Sequence, residues 1–527
     1  MRSQSIAVGA SALAATANAA LFESVVQTVN GPVQGYAAFN SSPVNVTLPN
    51  WKSIGVWRGI PFGADTAYEN RFKPPQPVTP WNETLEAKEF GDACISGGTT
   101  YSALSENCLN LNVWSAANST SDKLPVVMWS YPSGGANSDP RFDGGGMADK
   151  GVVFVNYNYR DGPTGYLVNA ELNAERLASA GVNSSGNYAQ LDQYAALQWI
   201  RDNIEAFGGD PDRITVAGQS AGSAATYHIL NAPLTKGQIA GAIIQSGVRD
   251  PYDPLAFSLA EGYQSAESTE AYSTTFMESV NCTTIACMRA LPASALDVAG
   301  QPGTTETTFK PSLDHYAIPD TYLNTLINGI TKDVPVMTGN TRDESGASYG
   351  LNITLATYLD DLNTTYSGEY VDKFLEVYPA NDSATASAAY NAQFTDRSKV
   401  GTQFWANYLL STNRTSPVYT YLWDHAPPGQ SGGAAHMTEI QYTQNNLYNM
   451  YYAYEAEDFA IAEIMNAYWV NFIKTGNPNG DGLVQWDSVN TSTIVTQELG
   501  DGWGAMPLGS DEQIQLFAEW FPTLTAL

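Results

Sequence analysis

Residues 213–222 read "RITVAGQSAG", a β-branched run followed by Ser220, which stands between Gly218 and Gly222 with only Gln219 and Ala221 in between. A strand that ends in Gly-x-Ser-x-Gly and passes straight into a helix must turn sharply, and glycines leave room for that turn. The turn lifts the serine hydroxyl clear of the sheet. It also aims the Ala221 N–H, at a helix N-terminus, towards the place where negative charge would develop on a substrate. The pentapeptide alone is a weak signal; a strand before it and a helical pattern after it make it a strong one.

On either side of this stretch, "LPVVMWS" (124–130), "GVVFVNYNYR" (151–160) and "AGAIIQSG" (240–247) predict further buried strands. Between 151–160 and 213–218 lies "NYAQLDQYAALQWIRDNIEAFGG", which sets Leu191, Tyr194, Ala195, Leu197, Trp199 and Ile200 on one helical face and ends at Gly208-Gly209. Strand, helix, strand at this spacing predicts an α/β fold with a mostly parallel central sheet flanked by helices. No internal repeat and no Pro/Gly/Ser linker divides the chain, so residues 21–527 are expected to form one domain with large insertions.

The 527 residues are 43% hydrophobic and 11% aromatic, enough for a large core. A net charge of −29 disfavours nucleic acids and anionic membranes as partners. Residues 1–20 carry Arg2, a small-residue apolar stretch and Ala17-Asn18-Ala19, the order of a signal peptide cut after Ala19 or Ala20. No later run is long enough to span a bilayer. The mature chain is therefore expected outside the cell or in the secretory lumen. Glycosylation sequons at Asn40, Asn45, Asn82, Asn118, Asn183, Asn281, Asn352, Asn363, Asn381, Asn413 and Asn490 agree with that. So do the cysteines, which fall as two local pairs, Cys94 with Cys108 and Cys282 with Cys287, and read as two disulfides. Neither His nor Cys stands at zinc-ligand spacing, and no metal is expected.

A serine hydroxyl is a poor nucleophile without a base. The chain has 4 histidines: His228, His315, His425 and His436. His228 lies within the helix after Ser220, and His315 has no catalytic context. His425 follows an aromatic run and suits a pocket wall or a turn. His436, in "GGAAHMTEIQY", sits on a Gly/Ala-rich loop and is the favoured base. An acid to orient it is expected between serine and histidine, and "VPVMTGNTRDESGAS" (334–348) offers both Asp343 and Glu344.

The chain resembles the type-B carboxylesterase and lipase family, which includes the cholinesterases, within the α/β-hydrolase superfamily. The likeness runs through "WRGIPFG", "NRFKPPQPVTPW", "SENCLNLNVW" and above all "GNYAQLDQYAALQWIRDNIEAFGGDPDRITVAGQSAGS". Cys282–Cys287 also matches a disulfide of the family. The resemblance implies Glu344 as the acid and, through Gly433 to Glu439, His436 as the base of a Ser220–Glu344–His436 triad. Gln219, Glu439, Tyr131 and His425 become candidates for the pocket around it.

Three departures matter. The family's glycine-rich oxyanion loop reads here "WSYPSGGANSD", and Pro132 has no N–H to donate. The hole must then draw on Ser133, Gly134 or Gly135 together with Ala221. Gln219 stands where the family has glutamate, which weakens any preference for cationic substrates. The loop from Ile95 to Asn107 is short and polar, with Tyr101 its only aromatic, unlike a lipase lid or the choline-holding loop of cholinesterases. The implied protein is a secreted serine carboxylesterase, similar to fungal ones, that acts without cofactor on a soluble small-molecule ester through an acyl-enzyme. Two alternatives use the same scaffold: acyl transfer to a biosynthetic intermediate of secondary metabolism, or a catalytically silent binding protein of the cholinesterase-like kind. Those silent proteins typically lack the serine, which this chain keeps.

Overall fold

Among the described residues, eleven strands form the central sheet: β1 (Tyr36–Ala37), β2 (Gly55–Pro61), β3 (Asn110–Ser115), β4 (Leu124–Ser130), β5 (Val153–Tyr157), β6 (Gly209–Gln219), β7 (Gly241–Gln245), β8 (Val336–Thr341), β9 (Val418–Trp423), β10 (Val495–Leu499) and β11 (Trp503–Pro507). Their order across the sheet is β11-β10-β9-β8-β7-β6-β4-β5-β3-β2-β1. From β10 to β5 neighbouring strands run parallel, and the edges are antiparallel. This computed structural model describes residues 20–95, 101–257, 262–298, 309–449 and 451–527, and residues 1–19 of the expected signal peptide lie outside them.

The apolar runs are strands because both faces are covered: β5 and β7 are buried at every position, and β4 at every position after Leu124. The predicted helix is α1 (Tyr188–Asn203), and Ala221–Asn231 form α2. From β4 the chain steps to β5 on one side, then crosses through α1 to β6 on the other. The strand order therefore reverses between β4 and β6, and the crevice at their carboxyl ends is where such sheets hold ligands. A buried fork ties this crossover down. Arg160, just after β5, donates Nε to Asp192 Oδ2 at 2.8 Å and Nη2 to Oδ1 at 2.7 Å, and Asp192 lies on α1.

Insertions build a second core. The helices α3 (Leu355–Thr365), α4 (Tyr370–Val377) and α5 (Ser383–Leu410) precede β9, and α6 (Ala456–Thr475) and α7 (Asp511–Trp520) follow it. Tyr358, Leu362, Phe374, Phe517 and Trp520 pack together between α3, α4, α5 and α7, with the Tyr366 and Phe374 rings stacked at 3.6 Å. The buried pair Arg397–Asp253 joins α5 to the loop after β7.

Candidate active site

At the end of β6, Ser220 takes φ 56° and ψ −120°, a left-handed conformation that non-glycine residues adopt only under constraint. Its N–H donates to the Gln245 carbonyl at 3.0 Å, and its own carbonyl accepts from Ser223 and Ala224 to start α2. The flanking glycines are sterically required. A Cβ on Gly218 would meet the Gly222 carbonyl oxygen at 2.1 Å, and one on Gly222 would meet the Ser130 carbonyl oxygen at 1.9 Å. Both obstacles are backbone. Gly222→Ala is therefore expected to destabilise the fold by about 1–3 kcal/mol, as overpacking does, by forcing β4 and α2 apart. Urea denaturation of the two proteins reads that difference.

The loop after β4 faces this elbow. Gly134 adopts φ 70°, and the Gly135 N–H closes a turn onto the Pro132 carbonyl at 3.1 Å. Of the backbone donors the sequence leaves open, Gly135 is thus occupied within the turn. The N–H groups of Gly134 and Ala221 have no partner among the described residues. Ser133 points its residue surface to solvent. Beneath the loop, Tyr131 stacks on Tyr159 at 4.8 Å and on Phe142 at 6.2 Å, so its ring supports the loop and is 5% exposed.

An amide lattice that sequence reading missed holds the loop's far end. Asn137 N donates to Asn158 Oδ1 at 2.9 Å, and Asn137 Nδ2 donates to Asn110 Oδ1 at 2.9 Å. The Asn137 carbonyl accepts from both Asn112 Nδ2 and Asn156 Nδ2. Its signal in the chain is the pair of Asn-x-Asn tripeptides at 110–112 and 156–158, on adjacent strands.

The loops after β8 and β9 meet across the elbow. Asp343 and Glu344, level on sequence grounds, have different tasks. Asp343 Oδ2 accepts the Ala434 N–H at 2.7 Å and pairs with Arg342, which pins the histidine loop. Glu344 Oε1 accepts the Thr341 N–H at 3.0 Å, and Oε2 lies 2.5 Å from His436 Nδ1. Burial opposes charge on Glu344, but the bond and charge of His436, helped by Arg249, hold its carboxyl below the ordinary glutamate value. Arg249 is itself fully buried and reaches Ser345 Oγ at 2.7 Å and Asn340 Oδ1 at 3.2 Å.

Gln219 is buried under the imidazole, with its Nε2 at 3.3 Å from each ring nitrogen of His436. Glu439 is also fully buried and bonds Gln245 Nε2 at 3.1 Å, so it supports the site from below instead of lining an open pocket. Burial first, and the Glu344 charge second, push its carboxyl up to about 7.

His425, read from the sequence as a pocket-wall or turn residue, sits in the loop just after β9, held between two carboxylates. Its Nδ1 meets Asp501 at 2.6 Å and its Nε2 meets Asp458 at 2.9 Å, so both nitrogens bridge carboxylates from the β10–β11 turn and α6. Burial disfavours the charged ring, but the two carboxylates outweigh it and raise its pKa above the ordinary value. Its stabilising contribution is thus complete below the unfolded pKa near ~6.5 and fades as pH rises through the higher folded value. The gap in Tm between the native protein and His425→Phe is expected to be widest near pH ~5.5 and to narrow by pH ~9. His228 is buried and held down at about 4 by that burial, and His315 Nδ1 binds the Pro319 carbonyl. Both cysteine pairs are bonded, and the first spans a loop that pairs Ala93–Cys94 with Leu104–Ser105.

Residues 23–500 match the Carboxylesterase family, to which the chain therefore belongs. It is 32% identical over 456 residues to fumonisin B1 esterase of Sphingopyxis macrogoltabida, covering 82% of this chain and 81% of that protein. It is 29% identical over 471 residues to para-nitrobenzyl esterase of Bacillus subtilis (strain 168), covering 84% and 90%. It is 29% identical over 520 residues to human bile salt-activated lipase, covering 90% and 67%. The solved structure of a PNB esterase superposes with a TM-score of 0.72 at 25% identity, covering 93% of this chain and 99% of that one. The fold is thus that of the α/β-hydrolases, and the protein is a carboxylic ester hydrolase.

Proposed function

We propose that this protein is a secreted serine carboxylesterase, one α/β-hydrolase domain from residue 21 onward, which cleaves small soluble esters through an acyl-enzyme on Ser220. The observation that carries the reading is the Glu344–His436 bond beside the Ser220 elbow. With Nδ1–H directed to Glu344, Nε2 of His436 keeps its lone pair and takes the proton as Ser220 Oγ attacks the ester carbonyl. The N–H groups of Gly134 and Ala221 hold the oxyanion. Collapse expels the alcohol, which receives that proton, and water repeats the sequence on the acyl-serine to release the acid.

Secretion is supported by the leader-like residues 1–20, the two disulfides and the sequons, every asparagine of which is exposed. Among the described residues no helix is long and apolar enough to cross a membrane. The small substrate class rests on the short Cys94–Cys108 loop.

Diethyl p-nitrophenyl phosphate tests the reading. It is expected to release one p-nitrophenol per chain, abolish turnover of p-nitrophenyl acetate, and leave one diethylphosphoryl group on the peptide that contains Ser220. A label on any other residue, or full activity after labelling, would overturn it. Acetate and butyrate esters are expected to turn over faster than palmitate; the reverse order would remove the small-substrate part alone.

A further inference from the structure

A cavity of about 370 Å³ opens where α5 and the C-terminal segment meet the loop after β7, and it shares no lining residue with the site above. Four aromatic side chains line it, Tyr252, Phe404, Tyr408 and Phe521, together with one carboxylate, Asp250. Its volume falls in the range of small-molecule pockets.

The charge arrangement around it is lopsided. Three charged residues lie within five positions of the loop, and two are paired elsewhere. Arg249 turns away to Ser398, Asn340 and Ser345, and Asp253 is held by Arg397. Asp250 is 3% exposed, accepts the Tyr252 N–H on Oδ1 at 2.8 Å, and has no cationic partner among the described residues. A buried carboxylate in that position is costly unless a cation meets it. Burial accordingly raises its carboxyl to about 7, with the Asp253 charge adding to the effect. Aromatic faces attract cations, and a chain of net charge −29 draws them to its surface.

We propose that this cavity binds a small amphipathic amine, its ammonium group on Asp250 and its apolar body among the rings of Tyr252, Phe404, Tyr408 and Phe521. A neutral molecule of the same shape would leave the carboxylate unpaired, and an anion would be repelled by it. The site is separate from the ester chemistry and stands whether or not the esterase reading does.

Calorimetric titration of the full-length protein with tryptamine and with tryptophol, which carries a hydroxyl in place of the amine, tests this. One tryptamine per chain is expected, bound about tenfold (about 1.4 kcal/mol) more tightly than tryptophol. Asp250→Asn keeps the acceptor for the Tyr252 N–H while removing the charge, and should bring the two affinities within about twofold of each other. Ser411→Trp, which fills the cavity from α5's end, should abolish binding of both, with circular dichroism confirming the fold. The KM for p-nitrophenyl acetate should not change at saturating tryptamine. Equal affinities in the native protein, an amine preference that survives in Asp250→Asn, binding that survives in Ser411→Trp, or competition with the ester would each overturn the proposal.

Discussion

Ser220→Ala is expected to lower kcat for p-nitrophenyl acetate by about 10⁶-fold, the effect of removing a triad serine. No neighbouring hydroxyl replaces it. Ser223 Oγ is held on the Ser220 carbonyl at 2.5 Å, and the Ser130 hydroxyl is paired with Tyr157 at 2.7 Å. The variant should fold normally, since alanine at φ 56° carries much the same backbone strain as serine, and the turn is held by backbone bonds, Ser220 N–H to the Gln245 carbonyl and the Ser220 carbonyl to Ser223 and Ala224. Its stability should stay within about 0.5 kcal/mol of the native protein. Loss of activity at unchanged stability therefore reads chemistry and not folding. Retention of more than about a hundredth of kcat would place the nucleophile elsewhere.

The second large effect concerns a proton's position. Glu344→Gln is expected to lower kcat by about 10⁴-fold with little change in KM. The Thr341 N–H occupies one acceptor at 3.0 Å, so a glutamine would keep its oxygen there and turn its NH₂ towards His436 Nδ1. That ring nitrogen would then have to accept, and the ring proton would move to Nε2. The imidazole would present N–H to Ser220 where a lone pair is needed. Glu344→Asp, which retains the charge but falls short of Nδ1, should recover part of the loss. If glutamine and aspartate variants matched the native rate, the orienting role would pass from Glu344 altogether.

Much of this was legible along the chain wherever the decisive contacts are local. The strand, elbow and α2 occupy one continuous stretch, and the glycines around Ser220 report a clash that any such turn creates. The choice between Asp343 and Glu344 was not local. The two adjacent carboxylates bond different groups of the same histidine loop, 91 and 92 residues away. Only the resemblance favoured Glu344. His425 was harder still, because its two carboxylates lie 76 and 33 residues off, on elements with no common sequence pattern. The candidate oxyanion donors were obscured by a different cause. Counting glycines in "SYPSGGAN" does not reveal that Pro132's carbonyl occupies the Gly135 N–H. The second core escaped as well, since its aromatic residues come from four helices spread over residues 355–520.

The asparagines gathered on Asn137 have a consequence for how rates should respond to the medium. Every bond in that lattice joins uncharged amides and backbone groups, so dissolved ions have little to screen. A loop clamped by lysine and aspartate would slacken at high ionic strength and alter its shape with acidity. This one should keep its donors in place through both changes. Turnover measured across a salt series then reports how charged substrates approach a strongly acidic protein, with the geometry of the loop proposed to receive the oxyanion held constant.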